Sequence, residues 1–67
     1  MQVSLKAARV NCNLTQEEAA RKIGVTVKML SDWENGKSFP NVKRLPAILS
    51  TYHVKYDDLV FPTSDPE

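Results

Sequence analysis

The sequence predicts an all-α domain, a compact bundle of four to five short helices, and three observations predict it. Apolar residues recur at helical spacing, Leu30 with Trp33 and Leu45 with Ile48, Leu49 and Tyr52. Hydroxyl and amide residues stand where helices should begin, and Gly24 and Gly36 stand where they should end. No strand alternation, repeat or low-complexity stretch interrupts this pattern.

Leu5, Ala8 and Arg9 place a first helix over residues 3–11, which Asn11-Cys12-Asn13 breaks. Thr15 then opens T-Q-E-E, a capping box in which Thr15 and Glu18 satisfy free amides of a second helix. Leu14 precedes the cap and can staple onto that helix, which runs to Ile23. Gly24 suits the left-handed backbone at a helix end, because a Cβ is penalised there. Val25 plugs the turn and Thr26 caps a third helix over residues 27–35, ended by Gly36. Asn41 is a good N-cap for the fourth helix. Pro46 argues that this helix starts near Arg44 or Leu45 if not at Val42, because a proline past the first turn removes a backbone bond. A last short helix over residues 56–60 packs Leu59 inward. Residues 1–62 read as one domain, and the polar, two-proline stretch 63–67 reads as a frayed tail.

A 67-residue chain is expected to be a single domain without a catalytic or sensory partner. The lone Cys12 excludes an internal disulfide and fits a reducing, cytoplasmic setting. No stretch approaches the roughly 20 apolar residues of a membrane span, and the N-terminus has no signal-peptide core. Net charge is only +1, but it is unevenly placed. Residues 1–44 carry eight Lys/Arg and four Asp/Glu, whereas residues 45–67 carry one Lys and four Asp/Glu. The first part suits a phosphate backbone and the second does not.

Enzymatic chemistry has no footing here. There is no nucleophile–base pairing, no glycine-rich phosphate loop and no paired carboxylate in an apolar frame. His53, Asp57 and Asp58 are candidate metal ligands by type, but such residues on a turn more often face solvent as caps. Neither a metal, a cofactor nor a small-molecule ligand is expected. Trp33 reads as a core anchor rather than a stacking platform, and Cys12 as an inert or weakly exposed thiol.

The segment from Gln16 to Asn35 (QEEAARKIGVTVKMLSDWEN) has the pattern of two short helices across a tight turn, the second with one face free. A rigid helix of this length can enter the major groove of DNA. Leu14-Thr15-Gln16-Glu17-Glu18-Ala19-Ala20, Ile23-Gly24-Val25-Thr26, Trp33-Glu34-Asn35-Gly36-Lys37 and Pro40 resemble the Cro/CI-type (XRE) helix-turn-helix family. The resemblance continues through Leu45, Ile48 and Val54 to Leu59. It implies a lambda-repressor-like fold and sequence-specific binding to operator DNA, usually as a dimer. Two positions depart from the family pattern. Ala19 replaces a larger aliphatic residue, leaving packing that is looser or filled by Met29, and Val27 replaces a polar base-contacting residue.

Leu30 and Trp33 turn inward, so Thr26, Val27, Lys28, Ser31 and Asp32 form the expected base-reading surface. Lys28 can donate to guanine O6 and N7, Val27 or the Thr26 methyl can touch a thymine methyl, and Asp32 can accept from a cytosine amino group. The plainer alternative is a solvated face carrying a Lys28–Asp32 pair one turn apart. Gln16 opens the second helix, where free amides and the dipole attract a phosphate, and its side chain can brace the third helix. Glu17 and Glu18 favour that dipole, but Glu17 must point away from phosphate. Asn35, Lys37, Lys43 and Arg44 follow the reading helix and are the other expected phosphate contacts, Lys43 or Arg44 reaching toward the minor groove. The resemblance implies an ion pair between Arg9 and Glu34, with a phosphate contact as a secondary role for Arg9.

Val54, Tyr56, Val60, Phe61 and Pro62 offer apolar surface, either for a homodimer interface or to close the core. The expected function is therefore a Cro- or repressor-like regulator of phage or mobile-element type, bound to double-stranded operator DNA. The rival is a protein-interaction module or antitoxin-type partner-binding protein that keeps the fold. Near-neutral charge with Val27 and Asp32 on the reading face favours the rival, and Lys28, Lys37, Lys43 and Arg44 favour DNA.

Overall fold

The computed structural model describes residues 2–61. Its α-helices are α1 (Leu5–Asn11), α2 (Gln16–Ile23), α3 (Val27–Glu34) and α4 (Leu45–Tyr52). A single 3-10 turn follows at Tyr56–Asp58. Two short strands, β1 (Val3–Ser4) and β2 (Leu59–Val60), pair in parallel, with Val3 opposite Leu59 and Ser4 opposite Val60. The frayed tail expected over 63–67, and Pro62, lie outside the described residues.

Three helix starts share one device. Ser4 Oγ accepts from the Ala7 amide at 3.0 Å, Thr15 Oγ1 from Glu18 at 3.1 Å, and Thr26 Oγ1 from Met29 at 3.1 Å. At Thr15 the box is reciprocal, because the Thr15 amide donates to Glu18 Oε1 at 2.9 Å. That bond, more than any other cause, holds the Glu18 carboxyl below its ordinary value. Gly24 ends α2 at φ 93, and the Gly24 and Val25 amides both donate to the Ala20 carbonyl. Thus the turn between α2 and α3 closes on backbone bonds that need a left-handed residue at its centre.

These starts and stops bring three apolar faces onto one centre. Leu5 of α1, Leu30 of α3 and Ile48 of α4 are completely enclosed, with Ala19, Ala20, Trp33, Tyr52 and Leu59 around them. Leu14, Val25 and Cys12 pack against this cluster from its edge, and the Cys12 thiol donates to the Tyr52 carbonyl at 3.4 Å. Removing a side chain such as Leu30 down to alanine costs about 2–5 kcal/mol by lost transfer energy and the cavity left behind.

Several boundaries differ from the sequence expectation. The first helix begins at Leu5 rather than Val3, because Ser4 is its cap and Val3 belongs to β1. The third ends at Glu34, with Asn35 as its cap. The last helix, expected over 56–60, shrinks to one 3-10 turn because Leu59 and Val60 leave it to pair with Val3 and Ser4. Strands of two residues are too short for alternation to be read. Asn41 Oδ1 does accept from the Arg44 amide at 3.1 Å, but it caps an isolated turn. The fourth helix starts at Leu45, the later of the expected starts, with Pro46 in its first turn where the missing amide costs little.

Candidate nucleic-acid interface

α3 is held by its inner side. Leu30 and Trp33 are 0% and 3% exposed, whereas Val27 and Lys28 at its start are open to solvent and Ser31 and Asp32 are half-buried. Thr26, also exposed, caps this end. Along the outer face the side chains form two pairs one turn apart. Lys28 Nζ lies 3.3 Å from Asp32 Oδ2, and Asn35 Nδ2 donates to Ser31 Oγ at 3.3 Å. The first pair is the plain alternative weighed from the sequence, and the second was readable from the same four-residue spacing.

Of the two expectations for the space beneath α2, looser packing or filling by Met29, the second does not hold. Ala19 is fully buried, yet Met29 is 37% exposed and stands outside the core cluster. Met29 is therefore a further apolar side chain at the edge of the outer face.

Glu34, on the inner side of the end of α3, is the polar junction of the fold. Its carboxylate accepts from Arg9 Nε at 2.8 Å and Arg9 Nη2 at 3.3 Å, and from Gln16 Nε2 at 3.0 Å. Arg9 Nη1 donates in turn to the Leu14 carbonyl at 2.9 Å. The Arg9 and Glu34 side chains are only 10% and 3% exposed. One carboxylate thereby fixes α1, the start of α2 and the end of α3 against one another. Gln16 braces the third helix through this bond, and the amide keeps a second N–H for another acceptor. The Arg9 part of the junction accords with the resemblance, and the Gln16 arm with the expectation that its side chain braces the third helix.

Arg44, at the start of α4, donates through Nη1 to the Gly24 carbonyl at 3.3 Å. The fold thus draws Arg44 to the turn between α2 and α3. Asn35, Lys37 and Lys43 are exposed on the segment that links α3 to α4. Glu17 is exposed at the start of α2.

The apolar candidates near the C-terminus divide. Val54 and Phe61 pack against the core, and Phe61 meets Phe39 edge-on with ring centroids 6.3 Å apart. Tyr56 and Val60 are 58% and 43% exposed. Tyr56 and Phe61 line a shallow groove of about 190 Å³ with Phe39, Pro40 and Leu45. Tyr52, by contrast, is buried with its hydroxyl unpartnered among the described residues. Burial, and next the nearby Glu34 carboxylate, push its pKa up to about 12. Among the described residues no group of three or more His, Cys, Asp or Glu is placed to hold a metal ion, and no helix is long and apolar enough to cross a membrane.

Comparison with known proteins agrees with this geometry. Residues 5–59 match the family model described as helix-turn-helix. The chain is 38% identical over 56 residues to the HTH-type transcriptional activator BcrR of Enterococcus faecalis, covering 84% of this chain and 28% of that protein. It is 35% identical over 65 residues to an HTH-type transcriptional regulator of Methanocaldococcus jannaschii, covering 97% of this chain and 98% of that protein. It is also 35% identical over 57 residues to the antitoxin PezA of Streptococcus pneumoniae, covering 85% of this chain and 36% of that protein. The match therefore spans well under half the length of BcrR and PezA. No solved structure matches the chain. With α2, the Gly24 turn and α3 at the centre of the matched segment, the chain belongs to the XRE-type helix-turn-helix family of DNA-binding transcriptional regulators.

Proposed function

We propose that this protein is a sequence-specific regulator that inserts α3 into the major groove of an operator, in the manner of a small Cro- or phage-type repressor. The observation that carries the proposal is α3 itself, anchored by Leu30 and Trp33 while Val27 and Lys28 stand open at its start. Thr26, Val27, Lys28, Ser31 and Asp32 read base edges, and Gln16, Asn35, Lys37, Lys43 and Arg44 contact phosphate. The start of α2 supplies free amides, with the second Gln16 N–H beside them. Arg44, tied to the Gly24 carbonyl, supplies charge at the turn.

One module of this size buries only about 600–1,000 Å² on DNA. A homodimer reading half-sites about 10 base pairs apart supplies the remaining affinity. Tyr56, which lines the groove with Phe61, and the exposed Val60 support that interface, with Val54 packed against the core.

Fluorescence anisotropy with the DNA upstream of the protein's own gene, titrated across salt, tests this reading. Several phosphate contacts give a steep loss of affinity with salt, and Lys28→Ala flattens sequence preference more than it flattens the salt slope. Absence of salt-sensitive binding, to that DNA and to random duplex alike, would sink it. The similarity to the antitoxin PezA supports a second reading, in which the same fold also engages a protein partner. Co-purification of a stoichiometric partner encoded beside this chain is the result that reading requires.

A further inference from the structure

We infer that Lys28 and Asp32 read a single base pair as one unit, selecting a keto base beneath the lysine and an amino base beneath the aspartate. The inference rests on the DNA-reading role proposed above and concerns what the reading face selects. Lys28 Nζ and Asp32 Oδ2 are 3.3 Å apart on the outer face of α3, with the lysine side chain 84% exposed and the aspartate 26%. The Asp32 backbone carbonyl accepts from the Lys37 amide at 2.9 Å, so the residue under the carboxylate is tied to the loop that follows. The outer face therefore presents a donor and an acceptor side by side, the acceptor on the better anchored residue.

A base pair offers the complementary arrangement in the major groove. In G·C, guanine O6 accepts next to the donating N4 amino group of cytosine, and in T·A, thymine O4 accepts next to the adenine N6 amino group. In each pair these two atoms are joined by their own hydrogen bond, so they lie about 2.9 Å apart. A Lys–Asp pair at 3.3 Å is close enough to that spacing to meet both atoms without coming apart. The ammonium has three N–H groups, and only one is used by Asp32; the carboxylate has lone pairs beyond the one that Lys28 occupies.

The polarity of the pair does the selecting. Turned the other way, as C·G or A·T, the base pair sets an amino group against the ammonium and a carbonyl against the carboxylate, and both contacts are lost. Guanine is preferred over thymine because its N7 gives the lysine a second acceptor, where thymine carries a methyl group. The arrangement also accounts for an acidic residue on a surface that must approach phosphates: Lys28 neutralises it there, and Asp32 contributes discrimination rather than attraction.

The test uses the full chain and a randomised duplex library, from which the tightest site is selected and then varied through all base pairs at each position. One position per half-site should rank G·C first, T·A next, and C·G and A·T weaker by roughly 5- to 140-fold, the span expected of one good two-point contact. Replacing that guanine by 7-deazaguanine should remove its advantage over thymine. Asp32→Asn, whose amide both donates and accepts, should compress the ranking at this position alone, and Asp32→Ala should compress it while strengthening binding to random duplex. Tight, sequence-selective binding whose ranking is unchanged in both Asp32 variants overturns the inference and leaves the regulator reading standing. Failure to bind any duplex overturns both.

Discussion

The stretch from α1 to α3 and the stretch from α4 to β2 are built on different terms. In the first, each helix start has a hydroxyl cap, the turn is centred on a left-handed glycine, and the buried charges form a closed network around Glu34. In the second, α4 has no side-chain cap. Its buried Tyr52 hydroxyl has no partner among the described residues, and Tyr56 and Val60 stay exposed. The difference teaches where orientation matters. The elements that set the angle of the reading helix are specified by side-chain caps and a buried charge network, whereas the rest of the fold relies on apolar contact and one short backbone ladder.

Breaking the network should have the largest effect. Glu34→Ala leaves the Arg9 guanidinium buried without its counter-charge and should cost about 3–5 kcal/mol, read as a collapse of the thermal unfolding midpoint. Next, Gly24→Ala isolates the backbone term. A Cβ at this position meets nothing within 4 Å, so the cost is the left-handed conformation itself, about 1–2 kcal/mol by chemical denaturation. Thr15→Ala removes a cap and should cost about 1 kcal/mol. A loss much below that would show the capping box to be dispensable and weaken the contrast between the two stretches.

The smallest effects belong to the second stretch and differ in kind. Tyr52→Phe removes a polar atom that has no partner, so it should be neutral or stabilise by up to about 1 kcal/mol. The alkaline limb sharpens the point. The folded pKa of Tyr52 is raised to about 12 from an ordinary value of 10.0, so its neutral form is favoured by folding. That stability is complete below pH 10.0, declines as pH rises toward about 12, and should be absent from the pH profile of Tyr52→Phe.

Legibility followed the same division. Thr15, Thr26 and Gly24 announce helix ends through contacts within a few residues, so α2 and α3 were readable nearly to the residue. Ser4 carries the same signal at α1, where it marks Leu5 rather than Val3 as the first helical residue. The β1–β2 pairing joins the two ends of the domain, and nothing local in Leu59 and Val60 marks them for it. At the site, helical spacing alone put Lys28 and Asp32 on one face and Leu30 and Trp33 on the other. Whether Met29 fills the space beneath Ala19 depends on tertiary packing, which helical spacing does not contain. That Gln16 braces the third helix was readable from its place at the start of α2, but its partner, Glu34, depends on the angle between α2 and α3, which no spacing rule contains.

The parallel pairing of Val3 with Leu59 also sets an order of assembly during synthesis. Residues 5–34, with their caps, glycine turn and charge network, leave the ribosome well before Leu59 does. The reading unit can therefore organise early, from contacts close in the chain, while the ladder that ties β1 to β2 waits for the last turn. Until Leu59 is in place, the Val3–Ser4 backbone lacks its ladder partner.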